Sequence, residues 1–372
     1  MEVLDYDMSQ LLEYSSGGKK IVAFGAGKFL ENCCKKYSDC GLEHYIEKII
    51  DNDPDIIGKY KKIGVCNIPV VDIRDGIKSL GEDGIVLIST IHFKDVLTQL
   101  ASYNVNKVVF LGFVIDKCIE QCLKNEDVKY DIVSDTDFNI PKVIHYCWFG
   151  KGKIPDRYRE WMSSWKKFCP DYEIVEWNES NYDVHKNRYM SEAYESKKWG
   201  FVSDYARLDI IYTYGGIYLD TDVEVIKSFD GLLHQKAFAG LQLDGRVALG
   251  LGFGSVSGND IIRVLRDDYN AHSFIKQDGS FNLTTCPTYQ TAILRKYGLQ
   301  LRDEFQLRNE IQCLKDINIY PSVFFTPMTA CARKIVRNKK YSFSIHHYDG
   351  SWADDKKKLQ VRFMMDLCRT KK

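Results

Sequence analysis

Two aspartates, Asp220 and Asp222, interrupt an apolar stretch at residues 215–226, GGIYLDTDVEVI. In a regular strand, side chains two residues apart project to the same face, and a kink at the strand end would turn both towards one point. Two carboxylates this close raise each other's pKa unless a cation offsets their charge. Mg²⁺ or Mn²⁺ does so where it bridges carboxylates to a diphosphate. The pattern indicates either a divalent metal site or a solvated turn at a strand end.

A charged pair precedes these aspartates. Asp204 and Arg207 lie three residues apart in the segment SDYARLDIIYTYGG and share one face of a predicted helix. A surface salt bridge would explain the pair. Alternatively, Asp204 accepts hydrogen bonds from sugar hydroxyls and Arg207 offers its planar guanidinium to phosphate. Gly215 and Gly216 then predict a tight turn, where backbone can approach a ligand closely.

The segments IHYCWFG, SDYARLDIIYTYGGIYLDTDVEV and HHYDGSW together resemble the glycosyltransferases of family 32. That family carries a sugar-binding Asp-x-Asp motif and includes yeast mannosyltransferases and many bacterial capsular-polysaccharide enzymes. The resemblance covers about residues 139–352, and three motifs in the expected order are more specific than Asp-x-Asp alone. The core of the glucosylating clostridial toxins is similar, more distantly. The resemblance implies a GT-A type nucleotide-diphospho-sugar transferase domain.

The resemblance also implies roles for individual residues. Asp220 would contact the donor ribose and the metal, and Asp222 would bind the metal directly. Asp204 and Arg207 match the contacts to the donor sugar and the diphosphate. Trp148 matches the aromatic residue that stacks on the nucleotide base, with a core tryptophan as the alternative.

The C-terminal motif supplies the remaining implied contacts. His347 matches a third metal ligand, with His346 as the alternative, and an imidazole ligand favours Mn²⁺ over Mg²⁺. Ser351 and Trp352 match a closing loop that would exclude water and limit donor hydrolysis. The predicted catalytic residues are Asp204, Arg207, Asp222 and Trp352. The predicted donor-binding residues are Trp148, Asp204, Arg207, Gly216, Tyr218, Asp220 and Ser351, and the predicted metal ligands are Asp220, Asp222 and His347.

The activity implied is a metal-dependent, retaining hexosyltransferase. Negative charge grows on the diphosphate as the sugar–phosphate bond breaks, and a cation beside it stabilises the transition state. We expect a UDP-hexose donor and a saccharide or lipid-linked saccharide acceptor in bacterial capsular or other surface polysaccharide synthesis. A protein acceptor, as for the toxins, is one alternative. The segments LGLGFGSVSGND and TTCPTYQTAI lie where the family shapes its sugar pocket, which makes Asn282, Thr285, Pro287 and Gln290 candidates, with loop or core roles as alternatives.

Two α/β domains are predicted to position these residues. Short apolar strands alternate with helical segments from Lys19 onwards, which predicts a Rossmann-like, doubly wound domain over residues 1–116. A charged linker follows at 117–138, then the GT-A domain at 139–352 and a basic C-terminal tail helix at 353–372.

The predicted first domain has an incomplete dinucleotide fingerprint. Gly25 and Gly27 are present, but Leu30 replaces the third glycine, and Asp51 stands where a carboxylate could bind ribose. A structural or regulatory nucleotide-binding role is preferred to redox catalysis. The alternative for the whole chain is an NAD-binding redox or sensor protein led by this domain.

Composition narrows the class of partner and the compartment. The 372 residues include 51 acidic and 51 basic side chains, so no overall field attracts nucleic acid or an anionic membrane. The twelve cysteines lack the spacing of a disulfide framework or a zinc site. The N-terminus does not resemble a signal peptide, and no apolar run approaches the roughly 20 residues that span a bilayer. We expect a cytoplasmic protein that contacts the inner face of a membrane at most peripherally.

Overall fold

The computed structural model describes residues 1–125, 139–300, 310–331 and 333–349. These residues form two compact units, which are described separately below. Among the described residues, the first unit contains 1–124 and 329–334, and the second contains 139–328 and 335–349. The predicted linker from residue 126 onwards and the predicted tail helix lie outside the described residues.

Helices and strands mostly alternate along the first unit. They are β1 (Glu2–Leu4), α1 (Met8–Ser16), β2 (Ile21–Phe24), α2 (Lys28–Lys36), β3 (Ile46–Ile50), β4 (Tyr60–Ile63), β5 (Cys66–Val71), α3 (Ile73–Leu80), β6 (Ile85–Ile88), α4 (Phe93–Leu100), β7 (Lys107–Phe110) and α5 (Leu111–Asn125). The strands form a seven-stranded sheet in the order β1-β7-β6-β2-β3-β5-β4. All pairs are parallel except β4 with β5.

Apolar side chains cover both faces of this sheet. Ile21 and Ala23 of β2 belong to a buried cluster that includes Leu30 of α2, whereas Val22 and Phe24 pack in a second cluster with helices α3 and α4. Strands buried on both faces read as continuous apolar runs, as IVAF and IVLI do here. The first unit is therefore an α/β layer structure. Helix α5 continues past residue 116, where the sequence placed the end of the domain.

The second unit is also mixed α/β. Its elements are β8 (Val143–Cys147), α6 (Asp156–Phe168), β9 (Glu173–Trp177), α7 (Arg188–Glu195), α8 (Trp199–Tyr214), β10 (Gly216–Tyr218), β11 (Val223–Val225), β12 (Ala237–Gly240), β13 (Phe253–Ser255), α9 (Asp260–Asp267), α10 (Cys286–Lys296), β14 (Gln312–Cys313), β15 (Asn318–Tyr320) and β16 (Ser344–His346). One sheet has the order β14-β15-β12-β13-β10-β8-β9, and β11 pairs separately with β16.

Helix α8 passes through the core of the second unit. Its residues 204–211 are all buried, and its apolar side chains pack with those of α7, β10 and β13 in one cluster. A helix that is buried on every side requires partners for any charge it carries. Asp204, Arg207 and Asp209 are the charged residues of this helix, so their contacts decide what it can do.

The sequence GIYLDTDVEVI at residues 216–226 predicts a single strand, but the structure divides this stretch into two strands. β10 pairs with β8 and β13 in the large sheet, whereas β11 pairs with β16 in the small one. The chain turns between them at residues 219–222, and Val223 N donates to Asp220 O at 3.1 Å. Both aspartates therefore lie in a turn between two sheets. Within the described ranges, no helix has the length and apolarity needed to span a membrane.

Candidate functional site

Asp220, Asp222 and His346 converge where β10 ends and β11 begins. Val223 of β11 lies opposite His346 of β16, which brings the end of β16 beside the aspartate turn. His346 Nε2 lies 3.2 Å from Asp222 Oδ1 and 4.0 Å from Asp220 Oδ2. One ligand atom from each of the three side chains lies within 4.8 Å of the other two. The three form a compact group of two carboxylates and one imidazole.

This group has the chemistry of a site for a divalent cation. Carboxylate oxygens suit Mg²⁺ and Mn²⁺, and the imidazole shifts the preference towards Mn²⁺. Burial raises the pKa of Asp220, and the nearby charge of Asp222 raises it further against the opposing effect of Arg207. Burial acts in the same direction on Asp222, but His346 and the amide of Asp349 outweigh it and lower the pKa of Asp222 to about 2. These two carboxylates and one imidazole are therefore suitable ligands for the predicted Mn²⁺ or Mg²⁺.

His347, the preferred third ligand in the sequence analysis, faces a different environment. Its Nε2 lies 3.1 Å from Glu224 Oε2, and its ring stacks on Trp161 with centroids 4.2 Å apart. Neighbouring residues in an extended segment point to opposite sides, so His346 and His347 cannot both face the aspartates. The structure places His346, the alternative, beside both carboxylates. The backbone N–H of His347 donates to Asp222 O at 2.9 Å and so helps to fix the turn.

Arg207 joins the buried face of α8 to the aspartate turn. Its Nη2 lies 3.2 Å from Asp204 Oδ1 and 3.2 Å from Asp220 Oδ1. Its Nε donates to Ser203 O at 3.1 Å, and its guanidinium lies over the Tyr218 ring at 5.1 Å. The side chains of Arg207 and Asp204 are only 5% and 9% exposed, so the pair is not a surface salt bridge. Arg207 is held in one orientation next to the candidate metal ligands.

Burial also shapes the electrostatics of Asp204. It raises the pKa of the Asp204 carboxyl to about 6, against the opposing effect of Arg207. Burial raises the pKa of the Cys286 thiol, which therefore stays protonated. The site thus combines a fixed guanidinium, a carboxylate cluster and a neutral thiol.

The glycine turn between α8 and β10 is held by strand β8. Gly215 and Gly216 have φ of 70° and 96°, a backbone region that favours glycine. A Cβ on Gly216 would lie 2.8 Å from Val143 O and 2.9 Å from His145 Nε2. His145 Nε2 donates to Gly215 O at 3.0 Å, and its Nδ1 accepts from Trp177 Nε1 at 3.0 Å. The packing requires glycine at position 216, which the sequence analysis assigned to donor binding.

Gly250 was not predicted as a site residue, although its segment LGLGFGSVSGND was predicted to shape the sugar pocket. A Cβ there would lie 2.3 Å from Asp220 Oδ2 and 3.2 Å from Arg207 Nη1. The backbone at Gly250 is therefore packed closely against the side chains of Asp220 and Arg207. The repeated glycines of LGLGFG were the available signal, but their spacing alone does not show which one faces the carboxylate.

The second segment that was predicted to shape the sugar pocket, TTCPTYQTAI at residues 284–293, also contacts the site. Cys286, the first residue of α10, has its Sγ 3.8 Å from Arg207 Nη1. Gln290, one turn later, is buried, its Oε1 accepts from Leu249 N at 3.3 Å, and its Nε2 has no partner among the described residues. Asn282 instead donates to Tyr289 Oη at 2.8 Å, while Thr285 and Pro287 lie at the start of α10. Among these four candidate pocket residues, Gln290 is the one whose buried side-chain nitrogen has no hydrogen-bond partner among the described residues.

Aromatic residues of α6 flank the metal-ligand group. Tyr158 Oη donates to Asp349 Oδ2 at 2.6 Å, and Asp349 N donates to Asp222 Oδ2 at 3.0 Å. Trp148 is half-buried, and its ring meets that of Tyr158 edge-on at 6.1 Å. Trp148 Nε1 donates to Gly152 O at 2.5 Å, which leaves the indole as a partly exposed aromatic surface. The predicted loop residues Ser351 and Trp352 lie outside the described residues.

Part of this chain is similar to known glycosyltransferases. Residues 155–239 match the family model described as "Glycosyltransferase sugar-binding region containing DXD motif". Inositol phosphoceramide mannosyltransferase 3 of Schizosaccharomyces pombe is 34% identical over 125 residues, which cover 31% of this chain and 34% of the relative. Mannosyl phosphorylinositol ceramide synthase SUR1 of Saccharomyces cerevisiae is 29% identical over 132 residues, 34% of each chain. The chain thus spans about a third of the length of these relatives.

A solved structure, "PaToxG Glycosyltransferase", aligns with a TM-score of 0.35 and 20% identity over 50% of this chain and 78% of that chain. The segment that contains Asp204, Arg207, Asp220 and Asp222 lies within the part that matches the family model. That segment is therefore similar to the sugar-binding region of glycosyltransferases with an Asp-x-Asp motif.

Proposed function

We propose that this protein is a metal-dependent glycosyltransferase that moves a hexose from a nucleotide-diphosphate sugar to a saccharide acceptor. The observation that carries the proposal is the convergence of Asp220, Asp222 and His346 beside Arg207. The two aspartates and Arg207 lie in the segment that is similar to glycosyltransferases. A carboxylate–imidazole group next to a fixed guanidinium is suited to a diphosphate and a divalent ion.

Asp220, Asp222 and His346 would hold Mn²⁺ or Mg²⁺, and the ion would supply positive charge that stabilises the diphosphate. Arg207 is positioned before the donor binds, because Asp204, Asp220 and Ser203 O already restrain its guanidinium. A guanidinium that is already oriented stabilises the negative charge that develops on the leaving diphosphate better than a mobile guanidinium does. In this proposal Asp204 accepts a hydrogen bond from a hydroxyl of the hexose.

The remaining donor contacts are extensions of the same proposal. Trp148 presents a partly exposed indole to the base, Tyr218 lies under Arg207, and Gly216 fixes the turn. Ser351 and Trp352 belong to the proposed closing loop, and Trp352 to the proposed catalytic set. The reaction proceeds with retention of the anomeric configuration.

The substrates are proposed from chemistry and from the relatives' names. We assign a UDP-hexose as donor and a saccharide or lipid-linked saccharide as acceptor, in bacterial capsular or other surface polysaccharide synthesis. The relatives are named for mannosyl transfer to inositol phosphoceramide, which makes mannose a candidate hexose and a lipid-borne acceptor a candidate class. In this proposal the enzyme acts in the cytoplasm at the inner face of a membrane.

The first unit is assigned a structural or regulatory role. Asp51, the candidate ribose ligand, already accepts from Ala26 N at 2.7 Å and from Asp53 N at 3.0 Å. Both carboxylate oxygens are thus engaged by backbone amides of the unit itself. This supports a structural use of Asp51 over an NAD-dependent redox reaction.

A thermal-shift screen of nucleotide sugars with Mn²⁺ tests the proposal. A ligand that binds only the folded protein raises its apparent stability by mass action. We expect UDP-hexoses, or GDP-mannose if the hexose is mannose, to raise the melting temperature with Mn²⁺ and not with chelator. NAD binding without any nucleotide-sugar binding would instead favour the redox or sensor alternative.

A further inference from the structure

Residues 274–283 of the second unit form a short hairpin, called here the 274–283 hairpin. Ile275 and Phe281 are antiparallel bridge partners. Lys276 N donates to Ser280 O at 2.9 Å, and Gly279 N donates to Lys276 O at 2.9 Å, with Gly279 at a φ of 79°. The turn at residues 276–279 is therefore closed by two backbone hydrogen bonds.

The base of the hairpin is firmly attached to the second unit. Phe274 is fully buried, and Asn282 N donates to Phe274 O at 2.7 Å. Glu192 Oε2 on α7 accepts from the N–H groups of Phe274 at 2.8 Å and Ile275 at 2.9 Å. The hairpin therefore presents its outer face in a defined orientation.

That outer face is apolar. Ile275, Phe281 and Leu283 are 38%, 39% and 59% exposed. Ile275 and Phe281 are bridge partners and Leu283 follows Phe281 by two residues, so the three side chains lie near one another on the hairpin, while the Phe281 ring also stacks on buried Phe274. Isolated exposed apolar side chains are normal, but three within one short, fixed hairpin form a patch.

Two lysines, Lys276 and Lys198, adjoin this patch. Lys276 is exposed in the turn, and Lys197 and Lys198 are exposed just before α8. Lys198 Nζ lies 5.6 Å from the centroid of the Phe281 ring. Asp278 is the acidic residue of the turn, where it accepts from Ser280 N and Oγ at 2.9 and 2.7 Å. Apolar side chains flanked by lysines are the composition that binds the interface of an anionic bilayer.

The hairpin leads directly into the candidate site. Thr284 N donates to Asn282 Oδ1 at 3.2 Å, and two residues later Cys286 Sγ lies 3.8 Å from Arg207 Nη1. We propose that the 274–283 hairpin docks on an anionic lipid surface and so holds the site next to a membrane-borne acceptor. The inference that the acceptor is membrane-borne rests on the proposed function. The inference that the hairpin binds lipid rests only on the residues of the hairpin and its neighbours.

Co-sedimentation with vesicles tests the docking. We expect the wild-type chain to sediment with vesicles of phosphatidylglycerol and phosphatidylcholine in equal amounts, and weakly with phosphatidylcholine alone. Combining Ile275→Ser, Phe281→Ser and Leu283→Ser should reduce vesicle affinity about tenfold or more. Lys276→Glu should reduce it about fivefold or more. Leu283→Ser alone is the milder variant, because the ring contact of Phe281 with buried Phe274, with centroids 5.3 Å apart, remains intact.

Control positions elsewhere in the second unit include Ile174 and Ile335, which are 37% and 38% exposed, close to Ile275 and Phe281. Ile174→Ser with Ile335→Ser changes two exposed isoleucines, and Lys339→Glu changes an exposed lysine. Both should bind vesicles like wild type. Equal sedimentation with both kinds of vesicle, no sedimentation at all, or equal losses in the controls would overturn the docking proposal.

Turnover of a soluble nucleotide sugar, measured on the same variants without vesicles, separates the two proposals. We expect Leu283→Ser and Lys276→Glu to keep wild-type turnover while they lose vesicle binding. Loss of both together would mean that the hairpin supports the fold of the site, and would overturn docking. Vesicle binding by a wild-type protein that turns over no donor would refute the proposed function and leave docking intact.

Discussion

Two adjacent histidines, His346 and His347, have different partners and should therefore contribute differently to metal binding. His346 Nε2 faces Asp220 and Asp222, whereas His347 Nε2 faces Glu224. We predict that His346→Ala weakens Mn²⁺ binding by about tenfold or more, because it removes a proposed ligand. His347→Ala should change it much less. Titration of the EPR signal of free Mn²⁺ measures both affinities, and an equal loss in the two variants would contradict the assignment.

Gly250 offers a test of how closely backbone and carboxylate are packed. Because an added Cβ would lie 2.3 Å from Asp220 Oδ2, Gly250→Ala must displace Asp220, Arg207 or the loop. A misplacement of about 1 Å at reacting groups costs up to roughly a hundredfold in rate, so we predict a 10- to 100-fold loss of donor turnover. Gly152→Ala is the matched control, since its Cβ would meet no atom within 4 Å. Wild-type turnover in Gly250→Ala would show that the loop has another conformation during the reaction.

At the scale of elements, strand β8 supports the turn that precedes the aspartates. Burial lowers the pKa of His145 to about 4, although its hydrogen bond to Gly215 O opposes this. The folded protein thus keeps this imidazole neutral, while the unfolded chain takes up a proton as the pH falls below about 6.5. The contribution of His145 to the free energy of unfolding is therefore present above pH 6.5 and is lost as the pH falls towards 4.

We predict that His145 makes the second unit less stable at pH 5 than at pH 7 by roughly 2 kcal/mol. Urea unfolding followed by tryptophan fluorescence measures this, because all six tryptophans lie beyond residue 140. His145→Gln should be less stable at pH 7 and should show a pH dependence smaller by about the same amount. An unchanged pH dependence in this variant would mean that other groups cause the acid sensitivity.

Local patterns predicted elements better than they predicted pairing partners. Apolar runs such as IVAF and IVLI and the helical spacing of Asp204 and Arg207 correspond to β2, β6 and α8. The stretch 216–226 predicts one strand, yet β10 and β11 belong to different sheets. Its division depends on β13 and β16, which lie 30 to 120 residues further along the chain. Such long-range pairing has no local signature in the sequence.

The absence of a local signature for long-range contacts also explains which site residues the sequence predicted and which it missed. The sequence placed Asp220 and Asp222 together because they lie two positions apart, and Asp204 beside Arg207 because they share a helix face. The choice between His346 and His347 depends on the register of β16 against β11, and Gly250 reaches Asp220 only through tertiary packing. Both are long-range features.

At the scale of the whole molecule, the candidate chemistry lies in the second unit. We therefore predict that Asp51→Ala in the first unit leaves donor turnover unchanged. It should destabilise the first unit by about 1–3 kcal/mol, because the N–H groups of Ala26 and Asp53 lose their acceptor. Hydrogen exchange of these two amides measures the local effect. A loss of turnover in this variant would show that the first unit takes part in the reaction.

The central claim is that Asp222 helps to hold the ion on which donor turnover depends. The most direct measurement is the release of nucleoside diphosphate from the donor identified by thermal shift, with Mn²⁺ and with chelator. We predict that wild-type turnover requires the metal, and that Asp222→Asn lowers it by about a hundredfold or more. Asp156→Asn, a change at a carboxylate whose side chain is 89% exposed, should keep it. Full turnover by Asp222→Asn in the presence of chelator would contradict the claim.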